Sequence, residues 1–168
     1  MFYIKFVLCA LPIGSKDNRM SITGRALSRI QKEITRFREE SGEAMLLEVQ
    51  SEDIWHIHIT GSESTVYQGE KYTLRVKFNN DYPMDSPEVT FLLPSPMHPH
   101  IYSNGHICLN ILYEDWSPAL TIQSVCLSIL SMMSSAPEKL LPEDNARYTS
   151  APRGNPKLTR FAYHDDSV

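Results

Sequence analysis

The chain has 168 residues, of which 42% are hydrophobic, and a formal net charge of −4. This length gives room for one domain with a buried core, because domains commonly span about 100–200 residues. The negative charge and the lack of any run of more than two Lys or Arg residues argue against nucleic-acid binding. A protein partner is the better expectation.

Residues 1–20 are expected to form an N-terminal extension ahead of the core domain. Residues 2–13 are apolar but too short to span a membrane, so no membrane partner is expected. Met20 stands directly before the first helical pattern, which makes it a candidate for the true start of the protein. Residues 1–19 would then lie upstream of the mature chain or form a mobile tail.

Residues 21–40 are predicted to form an amphipathic helix, because their apolar residues recur at steps of three and four. These residues are Leu27, Ile30, Ile34 and Phe37. The basic face, which includes Arg29 and Lys32, is expected to be solvated or to dock a partner. Gly42 is expected to end the helix in a left-handed conformation.

Four strands are predicted next, at residues 44–50, 54–60, 71–78 and 88–93, in an antiparallel meander with short connections. The third alternates apolar and polar residues, which is typical of a sheet with one wet face. His56 and His58 share one face of the second strand and are expected to face solvent.

The second half of the chain predicts two helices. Residues 121–134 carry an apolar stripe with Thr121 as a plausible N-cap. Cys126 lies on that stripe, so a buried, inert thiol is expected there. Residues 143–148 are consistent with one more helix, and a C-terminal tail is expected from about residue 150.

The three cysteines indicate a reducing compartment, either the cytoplasm or the nucleus. Cys9, Cys108 and Cys126 are odd in number and widely spaced, which fits neither a disulfide framework nor a structural zinc site. Histidines surround Cys108, but Pro99 and an Asn-Gly turn break up a ligand spacing, so no metal is expected.

Cys108 is the candidate nucleophile. It lies in the stretch HPHIYSNGHICLNIL, residues 98–112, just after the turn formed by Ser103-Asn104-Gly105. A residue just past such a turn can lie along the surface, so the thiol is predicted to be open to solvent. His106, two residues earlier, is expected to be structural or exposed.

Four motifs in this order resemble the ubiquitin-conjugating enzymes. They are YPMDSP at residues 82–87, HP at 98–99, NGHICLNIL at 104–112 and WSPA at 116–119. The resemblance covers nearly all of residues 21–168 and implies the α+β ubiquitin-conjugating fold. In that fold an N-terminal helix, a four-stranded meander, an active-site loop with cysteine and a central helix follow one another.

Three departures from the common pattern resemble the W-type subgroup of that family. His100 stands where most relatives have Asn. Residues 138–141, Glu-Lys-Leu-Leu, lack the acidic residue that usually gates the site from this loop. The tail NPKLTRFAYHDD, residues 155–166, resembles the unusual W-type C-terminus.

The resemblance implies that Cys108 accepts ubiquitin as a thioester from an activating enzyme, which uses the ATP, so no cofactor of its own is expected. His100 either stabilises the oxyanion of the second step or only braces the loop. The W-type subgroup modifies N-terminal α-amines on flexible N-termini, which implies monoubiquitination of such substrates.

Partner surfaces follow from the resemblance position by position. Positions matching the docking surface for RING or U-box ligases are Arg29, Pro83, Met84, Ser117, Pro118 and Ala119. Lys32 matches a contact for the activating enzyme, and Leu127 and Ser131 match the face on which the loaded ubiquitin folds back. For Leu127, a place in the core is the alternative.

Two other classes of function stay open. One is a conjugating enzyme for another ubiquitin-like modifier, and the other is a non-catalytic ubiquitin-binding variant of the fold. A cysteine hydrolase is weaker, because no separate His and Asn or Asp constellation suggests a triad.

Overall fold

A computed structural model describes Ile22, residues 24–150 and residues 154–158. In chain order the elements are α1 (Gly24–Glu40), β1 (Met45–Val49), β2 (Ile54–Thr60), β3 (Lys71–Lys77), β4 (Glu88–Phe91), a 3₁₀ turn (Asn110–Leu112), α2 (Ile122–Ser135), α3 (Asn145–Thr149) and a second 3₁₀ turn (Pro156–Leu158). The N-terminal extension and the tail beyond residue 158 lie outside the described residues. In the described part, no helix is both long and apolar enough to cross a membrane.

The four strands form one antiparallel sheet in the order β1-β2-β3-β4, as the short connections predicted. In β2 the side chains of Trp55, Ile57 and Ile59 are buried, whereas those of His56 and His58 are partly exposed. This confirms the expected orientation of the two histidines. The buried face of the sheet shares one core with α1 and α2.

The buried face of α1 differs from the prediction at one important position. Ile30 and Phe37 are buried as expected, but Ala26 and the charged Glu33 complete the buried face, while Leu27 and Ile34 are only partly covered. Glu33 stands three residues after Ile30 and four before Phe37, so the helical period places it in the core. The sequence prediction missed Glu33 because it considered only apolar residues for the buried face.

The helix ends after Glu40, but the prediction of a left-handed Gly42 is wrong. Positive φ angles occur among the described glycines only at Gly69 and Gly105. The Ser41 amide donates to Phe37 O at 2.9 Å and ends the helix. The chain then turns directly into β1.

The start of α2 is capped as predicted. Thr121 Oγ1 accepts from the amide of Ser124 at 3.1 Å, and the Thr121 amide donates to Ser124 Oγ at 3.0 Å. This reciprocal pair satisfies two amides that the first turn leaves free. Cys126 on this helix is fully buried, and burial, assisted by the charge of Glu33, raises the pKa of its thiol to about 12. The burial expected for Cys126 is therefore confirmed.

The turn before Cys108 requires glycine. Gly105 has a φ of +88°, and its amide donates to Tyr102 O at 2.8 Å. A Cβ at this position would lie 2.2 Å from the carbonyl oxygen of Phe91. Conformation and space therefore both exclude a side chain.

Candidate active site

Two arms of a tight loop place Cys108 beside His100. The arms pair through a bridge between Ile101 and Ile107, and Gly105 forms the turn between them. The Cys108 amide donates to the carbonyl oxygen of His100 at 2.8 Å. The backbone thus brings together the two residues that the sequence singled out for chemistry.

The thiol is more covered than predicted. Cys108 is only 8% exposed and packs in a small cluster with Tyr102, Tyr148 and the partly buried Tyr113. The expectation of a thiol open to solvent is therefore wrong for this conformation. Sequence reasoning missed the reason, which is that α3 brings Tyr148 back across the loop from forty residues away in the chain.

Tyr148 is held over the loop by two partners. Its ring stacks on that of Tyr102, with centroids 3.7 Å apart and planes 19° apart. Its hydroxyl lies 2.9 Å from Nδ1 of His106, which is 5% exposed. His106 therefore has the structural role that the sequence offered as one of two alternatives.

An acidic group reaches the site from a position other than the one expected. The Tyr102 hydroxyl donates to Asp144 Oδ1 at 3.0 Å. Burial, followed by this carboxylate, raises the pKa of Tyr102 well above its ordinary value, so the phenol stays protonated. Asp144 directly precedes α3, and the sequence, which predicted a helix over residues 143–148, gave no sign of its contact with Tyr102.

In the loop at residues 138–141, Glu138 is exposed, whereas Lys139 is paired within the chain. The Lys139 ammonium binds Glu70 Oε1 at 2.6 Å, and it also lies over the ring of Tyr67. Leu141 lines an apolar cavity of about 520 Å³ together with Leu93, Pro94, Ser95, Met97 and Ser103. In this loop the Lys139 ammonium is therefore already paired with Glu70, and Leu141 contributes an apolar side chain.

His98 braces the loop. Its Nδ1 accepts from the His100 amide at 2.9 Å, so its Nε2 carries the proton and donates to Met132 O at 3.1 Å. Burial lowers the pKa of His98 to about 4, which keeps the ring neutral at physiological pH. Both ring nitrogens are thus used in holding the loop against α2.

His100 does not share this bracing role through its side chain. The ring is half-buried and lies 5.5 Å from the ring of His98, centroid to centroid. No hydrogen bond joins the His100 imidazole to the described part of the chain. Only its backbone amide and carbonyl hold the loop.

Among the residues that the structure describes, no group of three His, Cys, Asp or Glu side chains is arranged to hold a metal ion.

The residues expected to dock a ligase lie on adjacent loops. Trp116 Nε1 donates to Pro83 O at 2.9 Å and ties the WSPA segment to the Tyr-Pro loop. Met84 is 76% exposed, Ser117 and Ala119 are exposed, and Pro118 is half-buried.

The remaining positions fall on α1 and α2. Lys32 is exposed on α1, whereas the Arg29 guanidinium is partly buried and bonded within the chain. Leu127 is 52% exposed and Ser131 is exposed one turn later on α2. The core alternative for Leu127 is therefore wrong.

Comparisons with known proteins agree with this architecture. The family model described as "Ubiquitin-conjugating enzyme" matches residues 29–159. A "Probable ubiquitin-conjugating enzyme E2 W" of Dictyostelium discoideum is 48% identical over 149 residues, covering 88% of this chain and all of that protein. The "Ubiquitin-conjugating enzyme E2 W" of Caenorhabditis elegans is 49% identical over 148 residues, covering 85% and 97%.

A solved structure gives the same result for the fold. The ubiquitin-conjugating enzyme UbcA1 of Agrocybe aegerita superposes with a TM-score of 0.76 at 38% identity, covering 79% of this chain and 98% of that one. The chain belongs to the ubiquitin-conjugating enzyme family and has its α+β fold. Its likeness to W-type members is confirmed, and ubiquitin, an activating enzyme and ligases are the partners of such a transferase in general.

Proposed function

We propose that Cys108 carries ubiquitin as a thioester and transfers it, with a RING or U-box ligase, to the N-terminal α-amine of flexible substrates. The observation that carries this proposal is the backbone pairing of Cys108 with the HPH loop, where the family has its cysteine. Cys126, the other described cysteine, is fully buried and its thiol pKa is about 12. A thiolate at Cys126 is therefore negligible at neutral pH.

The surroundings of Cys108 favour an acceptor that needs little deprotonation. A lysine of pKa about 10.4 is only about 0.1% neutral at pH 7.4, whereas an α-amine of pKa about 7.8 is roughly 30% neutral. Near the place where the common family pattern has its gating acidic residue, the loop at residues 138–141 has Lys139, which is paired with Glu70, and two leucines. The carboxylate of Asp144 is already bonded to Tyr102 and Arg147.

The side chain of His100 is proposed to donate to the oxyanion that forms when an amine attacks the thioester. His98 already braces the loop with both ring nitrogens, so the imidazole of His100 is not needed for that task. A neutral imidazole has one N–H to donate, and one such donor can speed a transfer by about 100-fold.

The other parts of the proposal concern partners and location. Arg29, Pro83, Met84 and residues 117–119 form the ligase surface, Lys32 contacts the activating enzyme, and Leu127 with Ser131 receives the folded-back ubiquitin. The protein needs no cofactor of its own, because the activating enzyme uses the ATP. It works in the cytoplasm or nucleus, and residues 1–20 are an extension outside the core domain.

The test begins with loading by an activating enzyme, ATP and ubiquitin. We expect an adduct that a thiol reductant removes, and Cys108→Ser should convert it to a reductant-resistant oxyester. Cys126→Ala is the matched control and should load normally. Loading by a different ubiquitin-like modifier alone would redirect the proposal to that modifier, and loading by none would contradict it.

The acceptor is tested with two peptides of the same unstructured sequence. One has a free α-amine and no lysine, and the other has an acetylated N-terminus and one lysine. We expect the loaded enzyme to modify the first at least about tenfold faster at pH 7.4, given the difference in amine pKa. Mass spectrometry should place one ubiquitin on the α-nitrogen, and equal or faster transfer to lysine would refute the N-terminal preference.

A further inference from the structure

Glu33 is a carboxylate buried in the middle of α1, with a role that no motif accounts for. It is 4% exposed. Its Oε1 accepts from Arg29 Nε at 2.7 Å and from the hydroxyl of Tyr82. Its Oε2 accepts from the amide of Ile122 at 2.7 Å.

These bonds join three separate segments of the chain. Tyr82 opens the loop that carries Met84, and Ile122 begins α2 directly after the WSPA segment. Arg29 extends the network, because its second nitrogen donates to Leu120 O at 2.9 Å. One carboxylate thus links α1 to both loops of the proposed ligase surface.

The chemistry of the network suits positioning better than stabilisation. Taking a carboxylate out of water is costly, and a buried ion pair often adds no net stability over apolar side chains of the same shape. What such a group does supply is one defined arrangement of its donors. Burial and the neighbouring carboxylate of Glu33 raise the pKa of Tyr82 far above its ordinary value, so its hydroxyl remains a donor at physiological pH.

We propose that Glu33 is a positioning residue for ligase docking, which fixes the Met84 loop and the WSPA segment relative to α1. This inference rests on the proposed ligase surface. Glu33 touches no reacting atom, so ubiquitin loading and ligase-free discharge do not depend on it. What depends on Glu33 is the concentration of ligase that is needed to accelerate discharge.

The test is Glu33→Gln in the full chain, because glutamine keeps the shape but replaces one accepting oxygen with a donor amide. Glu40→Gln is the matched control. Glu40 also pairs with an arginine four residues away on α1, Arg36, at 2.9 Å, but this pair is exposed to solvent. Tyr82→Phe is a second variant that removes one donor and leaves the carboxylate. Half-saturation by a RING or U-box domain in discharge assays is the measured quantity.

We expect Glu33→Gln to raise the half-saturating ligase concentration about tenfold, which corresponds to about 1.4 kcal/mol of binding free energy. Tyr82→Phe should raise it less, and Glu40→Gln should leave it unchanged. Loading and ligase-free discharge to hydroxylamine should stay within about twofold for all three variants, because none of the substituted residues belongs to the cluster of side chains around Cys108.

Two results would overturn the inference while leaving the proposed function intact. One is an unchanged ligase requirement in both Glu33→Gln and Tyr82→Phe. The other is an equal fall in loading, ligase-free discharge and ligase response, which indicates a role in folding alone. If the unsubstituted protein loads ubiquitin but responds to neither a RING nor a U-box ligase, the proposed ligase surface fails and this inference fails with it.

Discussion

Tyr148 stacks on Tyr102 with ring centroids 3.7 Å apart, and both rings pack against Cys108. Cys108 is only 8% exposed, so we expect this arrangement to hinder attachment of an acyl group as bulky as the C-terminus of a folded protein. If Cys108 carries the proposed thioester, we expect Tyr148 to move away during loading, together with the short α3 that carries it. The bond from its hydroxyl to His106 and the stack on Tyr102 are among the contacts that this movement would break.

Removing the ring of Tyr148 should expose the thiol. We expect Tyr148→Ala to speed alkylation of Cys108 by iodoacetamide roughly 5- to 10-fold. Loss of a stacked aromatic pair removes about 1 kcal/mol of the free energy that favours the arrangement in which Tyr148 covers Cys108. Mass spectrometry of the tryptic peptides gives the rate for each cysteine. Tyr148→Phe keeps the ring but loses the bond to His106, so it should raise the rate less than Tyr148→Ala does, and Cys126 should stay unmodified throughout. An unchanged rate in Tyr148→Ala would mean that other groups cover the thiol.

Replacing the side chain of His100 should slow transfer without affecting loading. We expect His100→Ala to lower single-turnover discharge to an α-amine peptide about 10- to 100-fold, because one oxyanion donor is lost. His100→Asn should retain most of the rate, since an amide also donates. Discharge by His100→Ala at the rate of the unsubstituted protein would show that only the backbone of His100 matters.

The buried imidazole of His98 should make stability depend on pH. Its pKa is about 4 in the folded protein and about 6.5 when unfolded, so the unfolded chain binds more protons between these values. The free energy of unfolding therefore has its full contribution from the neutral His98 ring above pH 6.5. As the pH falls toward 4 this contribution is lost, which lowers the free energy of unfolding by on the order of 3 kcal/mol.

Urea denaturation at several pH values between 4 and 8 checks this expectation for His98. His98→Gln is the comparison, because its amide can replace both hydrogen bonds but does not titrate. Its free energy of unfolding should fall less steeply below pH 6.5 than that of the unsubstituted protein. Parallel profiles would show that folding does not lower the pKa of His98.

The exposed leucine on α2 provides a test of the ubiquitin-facing surface. We expect Leu127→Arg to slow ligase-stimulated discharge at least about fivefold, because a charge replaces an apolar contact, while stability stays within about 0.5 kcal/mol. Leu46→Arg is the matched control, since Leu46 is 66% exposed on β1. Equal effects of the two substitutions would argue against a specific role for Leu127.

Periodicity and turn chemistry predicted most of the fold. The bounds of β2 agree at both ends, and Thr121 caps α2 as expected, because these features depend on residues close together in the sequence. The strand predicted at residues 88–93 ends at Phe91, and α3 begins at Asn145 rather than at residue 143. Ends of elements are set by tertiary contacts more than by local pattern.

The parts of the site that the sequence did not predict all depend on distant partners. The helical period places Glu33 on the buried face of α1, but its charge is accommodated there because Tyr82 and Ile122 bond to it from remote segments, and no local pattern indicates those bonds. The cover over Cys108 likewise includes Tyr148 of α3, and Asp144 reaches Tyr102 from the position directly before that helix. Motifs located the candidate nucleophile, whereas its accessibility depends on tertiary contacts.

The close approach of Gly105 to the carbonyl of Phe91 also limits how this enzyme can vary. A saturation library over residues 98–112 should tolerate several amino acids at partly exposed positions such as Leu109. At position 105 we expect a single surviving codon family, because even alanine meets an oxygen at 2.2 Å. Selection for folding alone, with no requirement for ubiquitin transfer, should retain Gly105 but allow other residues at position 108.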